Sequence, residues 1–165
     1  ELLKKYPQLH LVLAPRHIKR CAQVEDLVQR NKLSVARYSQ NSASTCDVTI
    51  VDTIGDLSAL YAFADISFIG GSLVDEGGHN PLEAARHGSA ILFGTHMEDF
   101  SEISQDLLAA QAALEVVDGS ALHRTLDRLA ASDQLRQDLG QNARNYTASR
   151  TSVIAHHMEV IKQYL

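Results

Sequence analysis

The chain alternates short apolar runs with amphipathic stretches, and that rhythm leaves it few ways to fold. His10-Leu11-Val12-Leu13-Ala14 is apolar and is halted by Pro15, which predicts a buried strand. Over 17–31, Ile18, Cys21, Ala22, Val24, Leu27 and Val28 recur at near-helical spacing. A second strand is predicted over Leu33–Tyr38, a polar loop over Gln40–Thr45, and a third strand over Asp47–Val51. A short helix over Asp56–Ala64 leads into a fourth strand over Asp65–Ile69. Pro81–His87 reads as a helix with proline in its first turn, closed near Gly88. Ala90–Phe93 is a fifth strand, Phe100–Ala113 a helix and Leu114–Val117 a sixth strand. From Ser120 the pattern is helical to the end, with Ser120 and Ser132 as N-caps and an amphipathic stretch over 150–164. Strands alternating with helices imply βαβ units and a parallel sheet covered on both faces. Right-handed crossovers make that an α/β, Rossmann-like, doubly wound layer of about six strands.

The length of 165 residues allows one such domain with a sizeable core, and 1–165 is expected to be a single domain. Composition is that of a globular chain, 45% hydrophobic and 21% charged. No apolar run approaches the roughly 20 residues of a membrane helix. No signal peptide is expected in the stretch that opens at Glu1. Cys21 and Cys46 suit a reduced cytoplasm better than a disulfide framework or a zinc site. A net charge of −5 argues against a general nucleic-acid binder. Yet the first fifty residues hold eight Lys/Arg against four Asp/Glu, including Arg16, Lys19, Arg20, Arg30, Lys32 and Arg37. These are either a solvated face or, locally, a cation for an anionic small ligand.

Seven of the nine glycines fall between Gly55 and Gly94, which narrows the search for a site. In an open parallel sheet, ligands bind beyond the carboxyl ends of the strands. The predicted strands there run into Pro15-Arg16-His17, Asp52-Thr53-Ile54-Gly55-Asp56, Gly70-Gly71-Ser72, Gly77-Gly78-His79-Asn80-Pro81 and Gly94-Thr95-His96. Gly70-Gly71 is a plain tight turn or a place where backbone amides approach a phosphate. Gly55 opens a helix whose free N–H groups favour an anion, or serves only a turn that needs positive φ. Asn80 is a good N-cap, Pro81 a good first residue, and Glu83 falls at the third helical position of a capping-box pattern. Glu83 could instead accept two ribose hydroxyls. Arg16 could clamp a phosphate with its planar fork. His17 and His79 are loop histidines at the same edge. His156-His157 lies in the terminal helix with no ligand cluster, so no metal site is expected. There is no Walker A loop, no Gly-x-Gly-x-x-Gly after the first strand and no Gly-x-Ser-x-Gly elbow.

The run Phe68-Ile69-Gly70-Gly71-Ser72-Leu73-Val74-Asp75-Glu76-Gly77-Gly78-His79-Asn80-Pro81-Leu82-Glu83-Ala84-Ala85 closely resembles the signature of 3-deoxy-D-manno-octulosonic acid (Kdo) transferases. Pro15-Arg16-His17 and Asp52-Thr53-Ile54-Gly55-Asp56-Leu57 match two further motifs of that family in the right order. The resemblance covers essentially the whole chain and corresponds to the C-terminal half of those enzymes. Departures from the family pattern are Ile54 and Asp56, where methionine and glutamate are frequent, and Gly94-Thr95 with Asp99-Phe100, where Gly-Pro and Asn-Phe are frequent. The second departure leaves contacts from Thr95 through Phe100 open.

The resemblance implies the donor half of a GT-B glycosyltransferase. The parent would be inverting, would need no metal or other cofactor, and would move Kdo from CMP-Kdo to a lipid A precursor in lipopolysaccharide synthesis. It implies that Pro15, Arg16, Ile54, Gly55, Asp56, Asn80, Pro81, Leu82 and Glu83 contact CMP. His17, Gly70, Gly71, Ser72, Gly78 and His79 would then shape the sugar side. The family's general base is a carboxylate of an N-terminal acceptor domain, so no catalytic residue is expected here and the fragment alone is expected to be inactive. The implied partners are CMP-Kdo, that N-terminal domain and, through it, the lipid acceptor. The implied place is the cytoplasmic face of a bacterial inner membrane. The alternatives are half of another GT-B-like enzyme that uses a UDP-sugar, transferase or epimerase, or a non-catalytic module.

Overall fold

The computed structural model describes residues 1–40 and 45–162, with side chains as far as Arg150. Most of the loop expected over Gln40–Thr45, and the side chains of the stretch expected over 150–164, including His156 and His157, therefore lie outside the described residues. The chain divides into two compact units, Glu1–Leu60 and Tyr61–Leu165.

In the first unit a short helix α1 (Leu2–Lys5) precedes strand β1 (Leu11–Leu13). Helix α2 (Cys21–Arg30), strands β2 (Val35–Arg37) and β3 (Val48–Ile50), and the one-turn helix α3 (Leu57–Leu60) follow. The three strands are parallel, in the order β1-β3-β2. β3 is central; Val48 and Ile50 share one face of the sheet and are fully buried, while Thr49 is half-buried on the other. The predicted helix over 17–31 is split: Ile18–Arg20 is a 3-10 turn, and α2 proper starts at Cys21. Two carboxylates bind the β2 and β3 regions together. Asp47 accepts from the backbone N–H of Ser34 at 2.7 Å and from its hydroxyl at 2.6 Å. Asp52 accepts from the N–H and the hydroxyl of Ser39 at 2.9 and 2.7 Å.

The second unit opens with a 3-10 turn, Tyr61–Phe63, so the helix predicted over 56–64 is realised as two short pieces. Strand β4 (Ile66–Ile69), helix α4 (Leu82–His87), strand β5 (Ala90–Phe93), helix α5 (Ser101–Ala109), strand β6 (Ala113–Glu115) and helices α6 (Gly119–Ala131) and α7 (Asp133–Lys162) follow. The strands are again parallel, in the order β4-β5-β6. The six expected parallel strands are thus present, hydrogen-bonded three and three.

β5 organises this unit. All four of its residues are fully buried. Alternation sends Ile91 and Phe93 into a cluster with Ala84, Ala85, Leu107 and Ala143, and Ala90 and Leu92 into a second cluster with Val116, Leu129 and Leu139. Ile91, Leu92 and Phe93 each contribute on the order of 1.5–3 kcal/mol by leaving water.

Helix boundaries follow local capping. α5 stops at Ala109 because the chain turns back there, with Gln111 at φ 52° and the N–H of Ala112 donating to Leu107 O at 2.8 Å. The sixth strand therefore begins at Ala113, one residue earlier than expected. α6 is capped by Asp118, which accepts from the N–H of Ala121 at 2.6 Å, and not by Ser120. A carboxylate accepts the amide more strongly than a hydroxyl does. Ser132 does cap α7, accepting from the N–H of Leu135 at 3.2 Å.

Gly88 ends α4 in the left-handed conformation, at φ 73°, as the sequence suggests. α7 then packs on that turn: Arg144 donates to His87 O at 2.9 Å, and a Cβ on Gly140 would fall on the carbonyl oxygen of Gly88. Helix propensity alone would make Gly140→Ala stabilising by about 1 kcal/mol. The steric conflict with backbone predicts the opposite sign, a loss of about 2 kcal/mol. The melting temperature should then fall by roughly 4–8 °C, and a rise would show that α7 can shift away.

Asp47 and Asp52 generate a second prediction. The hydrogen bonds from Ser34 and Ser39, side chain first and backbone next, hold both carboxyls below the usual carboxylate range. Groups with depressed folded pKa values add stability above their unfolded pKa, near 4, and lose it as pH falls through the folded value. The double variant Asp47→Asn/Asp52→Asn should be less stable than wild type at pH 7. It should also show a shallower loss of stability between about pH 4 and pH 2 in urea titrations followed by circular dichroism. Parallel acid slopes for the two proteins would remove these carboxylates from the acid response.

Candidate functional site

In the first unit, β1 runs into a loop where Pro15 is half-buried and Arg16 and His17 are exposed. His17 stays extended and its carbonyl accepts from the N–H of Arg20 at 2.8 Å, starting the 3-10 turn. The basic run of this region separates by partner. Arg37 forks onto Glu25 at 2.9 and 2.6 Å, which raises the pKa of its guanidinium, and Arg30 pairs with Asp26 at 2.6 Å. Among the described residues, Arg16 has no ion-pair partner. It is a guanidinium available to an anion.

After β3 the loop Asp52–Asp56 has a fixed base and an open tip. Asp52 is engaged with Ser39, and the Thr53 hydroxyl is shut away from solvent with no partner among the described residues. Ile54 is 89% exposed, an unusual position for so apolar a side chain. Gly55 has φ +97°, and a Cβ there would meet nothing within 4 Å, so its role is conformational and the space beside it is open. The carbonyl of the half-buried Asp56 accepts from the N–H of Leu60 at 3.2 Å and starts α3.

In the second unit, β4 ends in Gly70-Gly71-Ser72. Ser72 is fully buried, and its hydroxyl works in both directions: it donates to Ile69 O at 2.5 Å and accepts from the N–H of Gly94 at 2.7 Å. The N–H of His96 adds a 2.9 Å bond to Ser72 O. The ends of β4 and β5 are so close that a Cβ on Gly94 would collide with the Ser72 backbone. The following loop folds back on the segment after β5. The N–H of Asp99 donates to Gly77 O at 3.1 Å, and Cβ atoms on Gly77 and Gly78 would run into Asp99 and Met97. The His79 ring lies over Gly70 and Gly71, 3.7 and 3.5 Å from where their Cβ atoms would be.

The loop then enters α4. Asn80 Oδ1 accepts from the N–H of Leu82 at 2.9 Å and supplies the cap. Pro81 is fully buried and lies just before the first helical residue, so Glu83 is the second residue of α4 rather than the third expected of it. The Glu83 side chain is left exposed in the first turn. Tyr61, which the sequence reading did not single out, packs against the cluster under α4. Burial, and then the charge of Glu83, raise its phenol pKa. An aromatic residue in a short helical stretch carries no sequence signal for that proximity.

A further grouping escaped the sequence reading. Asp75, in the glycine-rich loop, and His96 and Glu98, after β5, bring ligand atoms within 4.8 Å of one another. Their separation along the chain hides them from any motif search; only the folding of the loop brings them together.

Within each unit the structure thus gathers the expected residues at the carboxyl ends of strands: Pro15, Arg16 and His17 with Ile54, Gly55 and Asp56 in the first, and Gly70, Gly71, Ser72, Gly78 and His79 with Asn80, Pro81, Leu82 and Glu83 in the second. Ser72 differs from the others in that its hydroxyl is already fully used within the fold. Ser72→Ala removes the acceptor for the buried Gly94 amide, which costs about 1–3 kcal/mol. The denaturant midpoint should fall accordingly, and an unchanged midpoint would mean that the amide finds another acceptor.

No family model matches the chain. It is 35% identical over 167 aligned residues to the 3-deoxy-D-manno-octulosonic acid transferase of Haemophilus influenzae, covering 99% of this chain and 39% of that protein. It is 31% identical to the enzyme of the same name from Rickettsia bellii, covering 99% of this chain and 38% of that one. The chain therefore spans about two fifths of the length of these curated relatives. A crystal structure described as the C-terminal CMP-Kdo binding domain of WaaA from Acinetobacter baumannii superimposes with a TM-score of 0.80 at 27% identity, covering 87% of this chain and 76% of that one. By sequence along nearly its whole length the chain is a relative of the 3-deoxy-D-manno-octulosonic acid transferases, and its α/β architecture is similar to that of the C-terminal CMP-Kdo binding domain of WaaA.

Proposed function

We propose that residues 1–165 form the donor-binding half of a glycosyltransferase that moves Kdo from CMP-Kdo to a lipid A precursor in lipopolysaccharide synthesis. The observation that carries this reading is the likeness in fold to a domain described as CMP-Kdo binding. The local chemistry supports it. Arg16 offers a planar guanidinium fork for the phosphate. The loop Ile54–Asp56 offers open backbone and an exposed apolar side chain, whose covering by a ligand would be favourable. Asn80, Pro81 and Leu82 set the start of α4; the Leu82 and Ala85 amides are taken by Asn80 Oδ1 and Pro81 O, which leaves those of Glu83 and Ala84 for a ligand. Glu83, exposed at that start and with Tyr61 nearby, accepts the two ribose hydroxyls. His17, Gly70, Gly71, Ser72, Gly78 and His79 border the sugar, with the Ser72 hydroxyl acting through the backbone it positions.

In this reading the transfer inverts the anomeric carbon and needs no metal. CMP leaves as an anion. Arg16 and the amides of Glu83 and Ala84 stabilise the negative charge that grows on the leaving phosphate, which lowers the barrier more than it tightens the ground state. The general base and the lipid acceptor site belong to an N-terminal domain beyond these residues. That domain also carries the association with the cytoplasmic face of the inner membrane. The chain alone binds donor and does not transfer.

Calorimetry with CMP tests the reading directly. The folded chain should bind CMP and should bind UDP at least about tenfold more weakly. Arg16→Ala and Glu83→Ala should each weaken CMP by roughly 10–100-fold, the loss of hydrogen bonds to a charged group, at an unchanged melting temperature. A preference for UDP would select a UDP-sugar enzyme instead. No nucleotide binding by a folded wild-type chain would overturn the proposal.

A further inference from the structure

We propose that Asp75, His96 and Glu98 form a binding site for a divalent first-row transition cation, with zinc the best fit, and that the ion fastens the glycine-rich loop to the segment after β5. The inference is independent of the donor reading.

The first argument is geometric. One imidazole nitrogen and two carboxylate oxygens lie within 4.8 Å of one another, and His96 Nδ1 is 3.2 Å from Glu98 Oε1. Ligands around zinc at about 2.0–2.2 Å are somewhat closer together than that. A small side-chain rotation closes the difference, and the side chains are free to make it: His96 is 38% and Glu98 60% exposed.

The second argument is that the backbone is already in place. The segment carrying His96 and Glu98 is held to the loop carrying Asp75 by bonds that involve none of the three side chains. These are the bonds from the N–H of His96 to Ser72 O and from the N–H of Asp99 to Gly77 O, 2.9 and 3.1 Å. The close approach at Gly77 and Gly78 leaves little freedom to separate them. A cation would therefore meet a formed site and would not have to organise one, which keeps the entropic cost of binding small.

The third argument is charge. Among the described residues, neither Asp75 nor Glu98 pairs with a lysine or arginine; the one ion-pair partner in the group is His96, for Glu98. Two carboxylates this close repel each other. A divalent ion offsets both charges, whereas a proton on His96 offsets one. The donor set decides the metal. An imidazole with two carboxylates suits zinc or its neighbours, while magnesium and calcium prefer oxygen alone. Three protein ligands leave a position for water.

Bound there, the ion would link Asp75 to the chain beyond β5 and stiffen Gly70–His79, a stretch with no helix or strand of its own beyond Gly70. The test uses the untagged chain, with Zn2+ followed by calorimetry and Co2+ by visible absorption. Wild type should take up one zinc ion, show cobalt d–d bands of a nitrogen-oxygen site, and melt at a higher temperature with zinc. Asp75→Asn and His96→Gln should each lose at least about tenfold in zinc affinity, at the lower end of what removing even outer-shell partners costs, together with the thermal shift. His87→Gln, an exposed histidine on α4, should change neither. Should a variant fail to fold, the wild type still decides the matter by NMR: zinc must move the His96 ring resonances before those of any other histidine. No uptake by folded wild type, affinity unchanged in both site variants, or a different histidine responding first would each overturn the proposal.

Discussion

The contact between the ends of β4 and β5 sets the position of everything that follows them in the second unit. Ser72 is buried with its hydroxyl shared between Ile69 O and the Gly94 amide, and its carbonyl takes the His96 amide. This is backbone against backbone, with one small side chain as the link. Its closeness requires glycine at position 94. Because the two strand ends cannot separate, the loop leaving β4 must fold over the segment leaving β5. That arrangement puts His79 over Gly70 and Gly71, Asp75 beside His96 and Glu98, and Asn80 where it can cap α4. Loop residues gain accuracy here because a rigid, buried serine anchors both segments.

The glycines show how one residue type answers two different demands. Gly55 has open space around it and a positive φ, so the backbone shape is what it supplies. Gly94 and Gly140 have ordinary backbone angles and no room, so the absence of a side chain is what they supply. A sequence records the same letter for both. Glycine density between positions 55 and 94 marks the loops after β3, β4 and β5, but Gly140, lying in an unbroken helical pattern, gave no sign that it seats α7 against the end of α4.

What could be read from the sequence follows the same division between local and distant. Short apolar-rich runs located all six strands, and Ala90–Phe93 to the residue, because that central strand is buried on both faces; β1, expected to be buried, instead leaves Leu11 and Val12 exposed. Gly88 and Ser132 were legible as helix ends because capping is a contact within one turn. The start of α6 was misjudged by preferring Ser120 over the stronger carboxylate of Asp118, also a local matter. The carboxylates of Asp47 and Asp52 and the Ser72 bridge were illegible, because their partners lie at a distance along the chain that only pairing of strands determines. The residues at the strand ends were legible from the strand pattern and from resemblance to the Kdo transferases, whereas the burial of Tyr61 and the grouping of Asp75 with His96 and Glu98 needed coordinates.

The same logic sorts the cations of the first fifty residues. By composition they form one basic run, and by structure they do separate things. Arg37 forks onto Glu25 between β2 and α2, and Arg30 pairs along α2, so both charges are answered within the unit. The exposed pair on α2 contributes little, since solvent screens it and two long side chains must be held still. Arg16 follows a strand end instead of standing on a helix, and no carboxylate of the described residues meets it. A guanidinium left unanswered at a strand end keeps its field for something that arrives from solvent. Arg16 thus keeps an open charge at a strand end, whereas Arg37 is committed to Glu25, and its loss should change the fit of α2 on its sheet.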